Sequence, residues 1–162
     1  MRAVKKVDMK FFNLAYLGLS LGLTGSLCGD PVTVEPVLTT TQNWTGKPLP
    51  GFRSGQTELK VVRVQLEKGA RTVIHLHPLN GVGYLLKGSL TIYATDDPDG
   101  SFADPKQIHV VPRKAGDAWA EPVNVWHYAV NTGDGPAEFI AFFAGEEGVP
   151  SYVSLGTRRQ SP

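Results

Sequence analysis

Apolar and polar positions alternate with a period of two over several short stretches of this chain. In Glu58 to Glu67, ELKVVRVQLE, Val62, Val64 and Leu66 share one parity while Arg63, Gln65 and Glu67 share the other. A β-strand sends successive side chains to opposite faces, so the pattern predicts a strand with one buried face. The turn Lys68-Gly69-Ala70 ends it. In RTVIHLH, Val73, His75 and His77 lie on one parity and Ile74 and Leu76 on the other. GYLL and LTIYA, separated by Lys87-Gly88-Ser89, predict a hairpin. A polar insert, TDDPDGSFADPKQ, leads to IHVV, a turn at Pro112 to Ala115, DAWAE, VWHYAVN, a turn at Thr132 to Gly135, and AEFIAFFA. Short strands punctuated by turns, with no long helical periodicity, predict an antiparallel sandwich or barrel.

The flanks read differently. Residues 1–28 carry a basic start, an apolar run from Phe11 to Leu27 broken by Asn13 and Ser20, and small residues around Thr24-Gly25-Ser26. That is the layout of a secretory signal peptide, which predicts an exported protein, periplasmic or secreted. An uncleaved N-terminal anchor is the alternative, and in that case only this segment meets the membrane. Cys28 follows the apolar run, but Leu27 stands where a lipoprotein signal wants a small residue. Residues 29–57 read as an extended arm with at most a short strand at Val32 to Leu38, residues 58–150 as the barrel, and residues 151–162 as a C-terminal tail that ends polar and frayed.

Composition narrows the class. The chain has 162 residues, 18 Gly, 12 Pro and one Cys, which suits one turn-rich domain and leaves no intramolecular disulfide or Cys-based zinc site. Four basic residues and one acidic residue fall in the leader, so the remainder holds 12 basic and 14 acidic residues, a net charge of −2. Without a Lys/Arg cluster there is no electrostatic footprint for nucleic acid.

All four histidines, His75, His77, His109 and His127, lie in the body. On a strand His75 and His77 face the same way, close enough for both imidazoles to reach one ion. Around them runs Gly69, five residues, His75-x-His77, three residues, position 81, six residues and Gly88. A second run holds Gly116, five residues, Pro122, Val123, Asn124, two residues, His127, three residues and Asn131. These two runs resemble the first and second motifs of the cupin superfamily, with Asn124 where the family usually has Gly, a swap that keeps tolerance of left-handed backbone angles. The resemblance implies an all-β, cupin-type antiparallel double-sheet jelly-roll barrel. It also implies His75, His77 and His127 as ligands of a divalent metal ion, Fe, Mn, Zn or Ni, with their nitrogens roughly 3–4 Å apart.

One departure bears on the chemistry. The family's usual glutamate ligand falls at position 81, which is Gly81 here, and Gly83 shares its inward parity. Two missing side chains are expected to leave space beside the ion, and restoring a carboxylate with Gly81→Glu is expected to tighten metal binding. Glu121 reads either as a solvated strand-end carboxylate or as a substitute ligand or base. His109 has no motif position and reads as a surface or hydrogen-bonded histidine. Trp126 and Tyr128 have the opposite parity to His127 and read as core or interface, Trp119 and Tyr84 as packing residues or pocket lining, and Asn131 as the pin of a turn near Gly133. Phe139, Phe142 and Phe143 fall on two parities, so both faces of the last strand need cover, one cover being a second subunit in a homodimer. The expected partner is a small-molecule ligand or substrate. Cupins with three histidine ligands include oxygen-using dioxygenases, so the resemblance implies a metal-dependent enzyme of oxygenase or related type, which the leader pattern makes an exported one. The alternative is a non-catalytic, metal-free cupin that binds or senses a small molecule.

Overall fold

The computed structural model describes residues 34–52 and 54–158. The expected signal peptide, the start of the arm and the last four residues lie outside the described residues. Within residues 34–38 there is no strand, and Val34 and Val37 are exposed; the arm's regular pairing is a bridge between Gln42 and Pro48. Trp44 then ties the arm to the body through its backbone N–H, which donates to the Ala120 carbonyl at 3.1 Å.

The body is nearly all-β, in two antiparallel sheets that form a jelly-roll barrel, as the strand pattern and the motif resemblance predict. GYLL and LTIYA, however, join different sheets instead of pairing as a hairpin, and the turn expected at Pro112 to Ala115 is strand as far as Lys114. β1 (Thr57–Leu66), β8 (Ala137–Glu146), β3 (Asn80–Lys87) and β6 (Ala118–Ala120) form one sheet in that order. The other runs β5 (Ile108–Lys114), β4 (Ser89–Thr95), β7 (Trp126–Asn131), β2 (His75–Leu76) and β9 (Val153–Ser154). β1 pairs with β8 over its whole length, from Thr57 opposite Glu146 to Leu66 opposite Ala137. This register turns Val62, Val64 and Leu66 inward, onto a core that includes Leu85, Leu90, Ile92 and Phe139. Burying such side chains contributes about 1.5–3 kcal/mol each.

Three local devices set the ends of the strands. Pro122 has no N–H to donate, and β6 stops short of it. Asn131 is buried; its side-chain amide donates to the Leu66 and Gly135 carbonyls, both at 2.9 Å, and its Oδ1 accepts from the Gly133 N–H at 3.0 Å. The expected turn pin is therefore in place. The predicted strand at residues 71–77 shrinks to the two residues of β2; Arg71 bridges Val130 in a register one residue out of step with His75 and His127, and Thr72 Oγ1 accepts the Ala129 N–H between them.

The two parities of β8 separate its phenylalanines. Phe139 and Phe143 face the interior, while Phe142 lies on the outer face beside Val61 and Val82, its partners in the register. The C-terminal segment differs from a simple tail. β9 pairs with β2, placing Ser154 opposite His75, and a short helix α1 (Leu155–Arg158) follows. Among the described residues no helix is long and apolar enough to cross a membrane.

Candidate metal centre

His75 and His127 are direct cross-strand partners on β2 and β7. His77, two residues further on, bridges Val123 in parallel, so its side chain returns to the same face. One ligand nitrogen from each of the three rings lies within 4.8 Å of the other two. That is wider than the 3–4 Å expected from the sequence. The ring centroids are 4.4–4.9 Å apart. His77 and His127 are 6% and 3% exposed and His75 is half-buried. His109 stands apart at the surface, its Nε2 2.8 Å from Asp96 Oδ2.

Each of the three rings is held by its Nδ1. His75 pairs with the Val73 carbonyl at 2.7 Å, His77 with Ser151 at 2.6 Å and His127 with Val125 at 2.8 Å. A carbonyl oxygen only accepts, so Nδ1 carries the proton in all three, and each Nε2 presents a lone pair. This is the tautomer a metal ligand needs, fixed by a backbone partner. Burial, followed by the neighbouring imidazole, lowers the pKa of His75 and of His77 to about 4. Burial likewise lowers that of His127, against the opposing pull of Glu121. All three rings are therefore neutral at pH 7.

The same shifts make the metal-free protein sensitive to mild acid. Unfolded imidazoles take up protons around 6.5 and the folded His75 and His77 only around 4, so over that window the unfolded chain binds more protons. Stability is full above about pH 6.5 and falls as pH drops towards 4. The carboxylates with lowered pKa values, Glu58, Asp96 and Glu138, lose their contribution as pH falls through the ordinary carboxylate range and below it, under the histidine window. Thermal unfolding at pH 7 and pH 5 should give a clearly lower midpoint at pH 5, and the drop should shrink when His75 and His77 are both replaced by alanine. Equal drops in parent and variant would assign the sensitivity elsewhere.

The space expected beside Gly81 and Gly83 is filled. A Cβ at 81 would lie 2.5 Å from the Phe143 ring, and one at 83 would overlap the Trp119 ring. Nor is Glu121 a solvated strand-end carboxylate: it is buried, 5% exposed. Its Oε1 accepts the Trp119 indole N–H at 2.6 Å, while its Oε2 is buried without a hydrogen-bond partner, 3.8 Å from His127 Nε2.

A family model for the cupin domain matches residues 62–143, half of the chain and all three histidines. The chain belongs to the cupin family. Among solved structures it resembles oxalate decarboxylase of Lactobacillus farciminis in complex with formate, at 23% identity and a TM-score of 0.51 over 64% of this chain and 29% of that one. It also resembles the oxalate decarboxylase of Bacillus subtilis, whose Mn(II) centres have been characterised, at 26% identity and a TM-score of 0.50 over 62% and 24%. An RmlC-like cupin from Shewanella frigidimarina matches at 27% identity and a TM-score of 0.41 over 56% and 69%. The chain thus spans under a third of the length of the two decarboxylases. No curated protein sequence matches.

In this cupin the three histidines open onto a cavity of about 250 Å³ between the sheets. Its walls are mainly aliphatic and aromatic, Val64, Ile92 and Phe139 among them, and among the described residues no lysine or arginine lines it. Trp119 lines it, whereas Tyr84 lies on the outer face, 37% exposed. Trp126 is buried on the other side of its strand, and Tyr128 stacks on Tyr93. Two lining residues escaped the sequence reading: Ser151, whose carbonyl holds His77, and Tyr152, whose ring stands 5.8 Å from that of His75. They lie in the segment expected as a tail, and only the long-range pairing of β9 with β2 brings them here.

Proposed function

We propose that this cupin is an exported protein that binds a divalent ion, Fe, Mn, Zn or Ni, through His75, His77 and His127, and uses it on a small molecule seated in the cavity. One observation carries the reading. Three neutral imidazoles, each locked by a backbone carbonyl, turn their lone pairs towards one another in a buried site with a carboxylate beside them. Lone pairs so gathered repel unless a cation lies among them. A divalent ion would supply Lewis acidity and open positions for an oxygen of the ligand. Support also comes from the Mn(II) centres of the Bacillus subtilis oxalate decarboxylase.

The cavity argues for a ligand other than a dicarboxylate. A dianion would leave its far end against apolar walls with no lysine or arginine among the described lining residues to meet it. A compact, mainly apolar molecule with one oxygen-bearing end fits better, as substrate of an oxygenase or another metal-dependent enzyme. The apolar lining equally favours a second reading, a non-catalytic binding or sensing protein. Self-association belongs to the proposal as well. Leu59 and Val61, 63% and 66% exposed, and Val82 lie on the outer face of the four-stranded sheet with Phe142, a surface suited to a second copy.

Export rests on the pattern of residues 1–28. Elemental analysis of protein recovered without an affinity tag from the exported fraction tests the whole reading. The expected result is close to one first-row transition metal per chain and a rise in unfolding temperature on adding the same metal. A metal-free protein that none of the four ions stabilises would favour the non-catalytic, metal-free reading.

A further inference from the structure

Position 81 is not simply empty. Gly81 on β3 lies beside Glu121 at the end of β6: Val82 pairs with Ala120, and the Glu121 N–H donates to the Gly81 carbonyl at 2.8 Å. The two residues are lateral neighbours on the inner surface of one sheet, and the side chain absent from one strand is present on the next. On the other flank of Gly81 is its β8 partner Phe143, whose ring takes the space a side chain at 81 would need and packs 4.6 Å, centroid to centroid, from His77.

Glu121 is held as a functional carboxylate would be. The indole N–H of Trp119 fixes Oε1, and Trp119 is itself seated over Gly83, where any side chain would displace it. Oε2 is left buried and unpartnered, on the His127 side of the cavity. A buried oxygen with no donor is costly, and more so when it belongs to a carboxylate and faces a lone pair. Both costs disappear when a cation sits between the rings and the carboxylate.

We infer that Glu121 is the carboxylate of this metal centre, replacing from the adjacent strand the glutamate that the first cupin motif places at position 81. The inference rests on the metal-binding reading above and adds to it the fourth protein group and its charge. With Glu121 the ion and its protein groups carry a net charge of +1 instead of the +2 left by three imidazoles. Such a centre favours a neutral or monoanionic oxygen ligand, which suits the apolar cavity. Two atoms each about 2.1 Å from one ion lie at most about 4.2 Å apart. Oε2 and His127 Nε2, at 3.8 Å, already satisfy this, while the histidine nitrogens, up to 4.8 Å apart, must draw together.

The test is Co(II) binding to the full chain, followed by competition titration and by the visible spectrum, in the parent, Glu121→Gln, Trp119→Phe and His77→Ala. Glutamine keeps an acceptor for Trp119 and removes only the charge. Glu121→Gln should weaken Co(II) binding by about 10- to 100-fold and change the absorption bands, with a circular dichroism spectrum like that of the parent. Trp119→Phe removes the tether and keeps the carboxylate, so it should retain most of the affinity. If Glu121 serves only as the anchor of Trp119, the order reverses: the glutamine variant binds like the parent and the phenylalanine variant does not. That outcome overturns the inference and leaves the histidine site standing. Should the parent and His77→Ala both fail to take up Co(II), the metal reading falls and this inference with it. A glutamine variant that does not fold passes the question to Glu121→Asp, whose shorter reach should lower affinity and shift the bands if the carboxylate meets the ion.

Discussion

His77→Ala is expected to lower the affinity for a divalent metal by at least about 100-fold, since loss of an outer-shell partner alone typically costs 10- to 100-fold. His77 is buried, its Nδ1–H is fixed by the Ser151 carbonyl, and one of its ring nitrogens lies within 4.8 Å of one from each of His75 and His127. Removing it takes away one of three imidazoles and leaves the other two on β2 and β7. In linkage terms a 100-fold weaker site forfeits about 2.7 kcal/mol of metal-dependent stabilisation at a metal concentration that saturates the parent. The variant also loses packing against Phe143 and leaves the Ser151 carbonyl without its donor, so the metal-free stabilities must be compared first. The metal-induced shift in unfolding temperature, measured on each protein against its own metal-free form, isolates the site. A shift as large in the variant as in the parent would place the metal elsewhere.

The second large effect runs against the expectation drawn from the motif. Gly81→Glu should destabilise the protein by about 1–3 kcal/mol through overpacking, with a further cost for a buried charge, and should not tighten metal binding. Gly81 is buried, and a Cβ there meets Phe143 Cδ1 at 2.5 Å and the Phe142 carbonyl oxygen at 3.2 Å. The ring must move before the carboxylate can enter, and Phe143 is itself in contact with His77. A second carboxylate would in addition lie near that of Glu121. Chemical denaturation and metal titration of the same preparation give both quantities. A variant as stable as the parent that binds metal more tightly would show that Phe143 yields and that the vacancy at 81 is real.

These two substitutions mark the border between what parity reveals and what it hides. Parity alone places His75 and His77 on one face and Val62, Val64 and Leu66 on one face of another strand, because the side-chain period of a strand is two whatever the strand pairs with; that His127 joins the first pair is what the motif resemblance implied. Asn124 adopts a positive φ of 58°, as its place in the second motif implies. The same rule applied to DAWAE puts Trp119 and Glu121 on one parity, so a buried Trp119 already implied an inward Glu121. Its place at the strand end suggested solvent instead. What fills the space at Gly81 could not be read this way, since it depends on which residue of β8 is set opposite β3. The exposed Leu59 and Val61 follow the strand period but not the rule that apolar side chains face inward. Ser151 and Tyr152 lay beyond the reading for another reason: their segment has no pattern of its own and becomes a strand only by joining β2.

That late pairing also governs when the centre can exist during the life of the chain. His77 is held by a carbonyl 74 residues further along, and His75 pairs with Ser154 on the last strand. Contacts of such long sequence separation form late, and a ribosome delivers residues 151–154 only after every other strand of the barrel. The nascent chain therefore has no finished pocket in which to select an ion. A polypeptide that crosses a membrane before it folds would meet its metal on the far side, and the ion it carries would reflect the supply in that compartment as much as the preference of its three imidazoles.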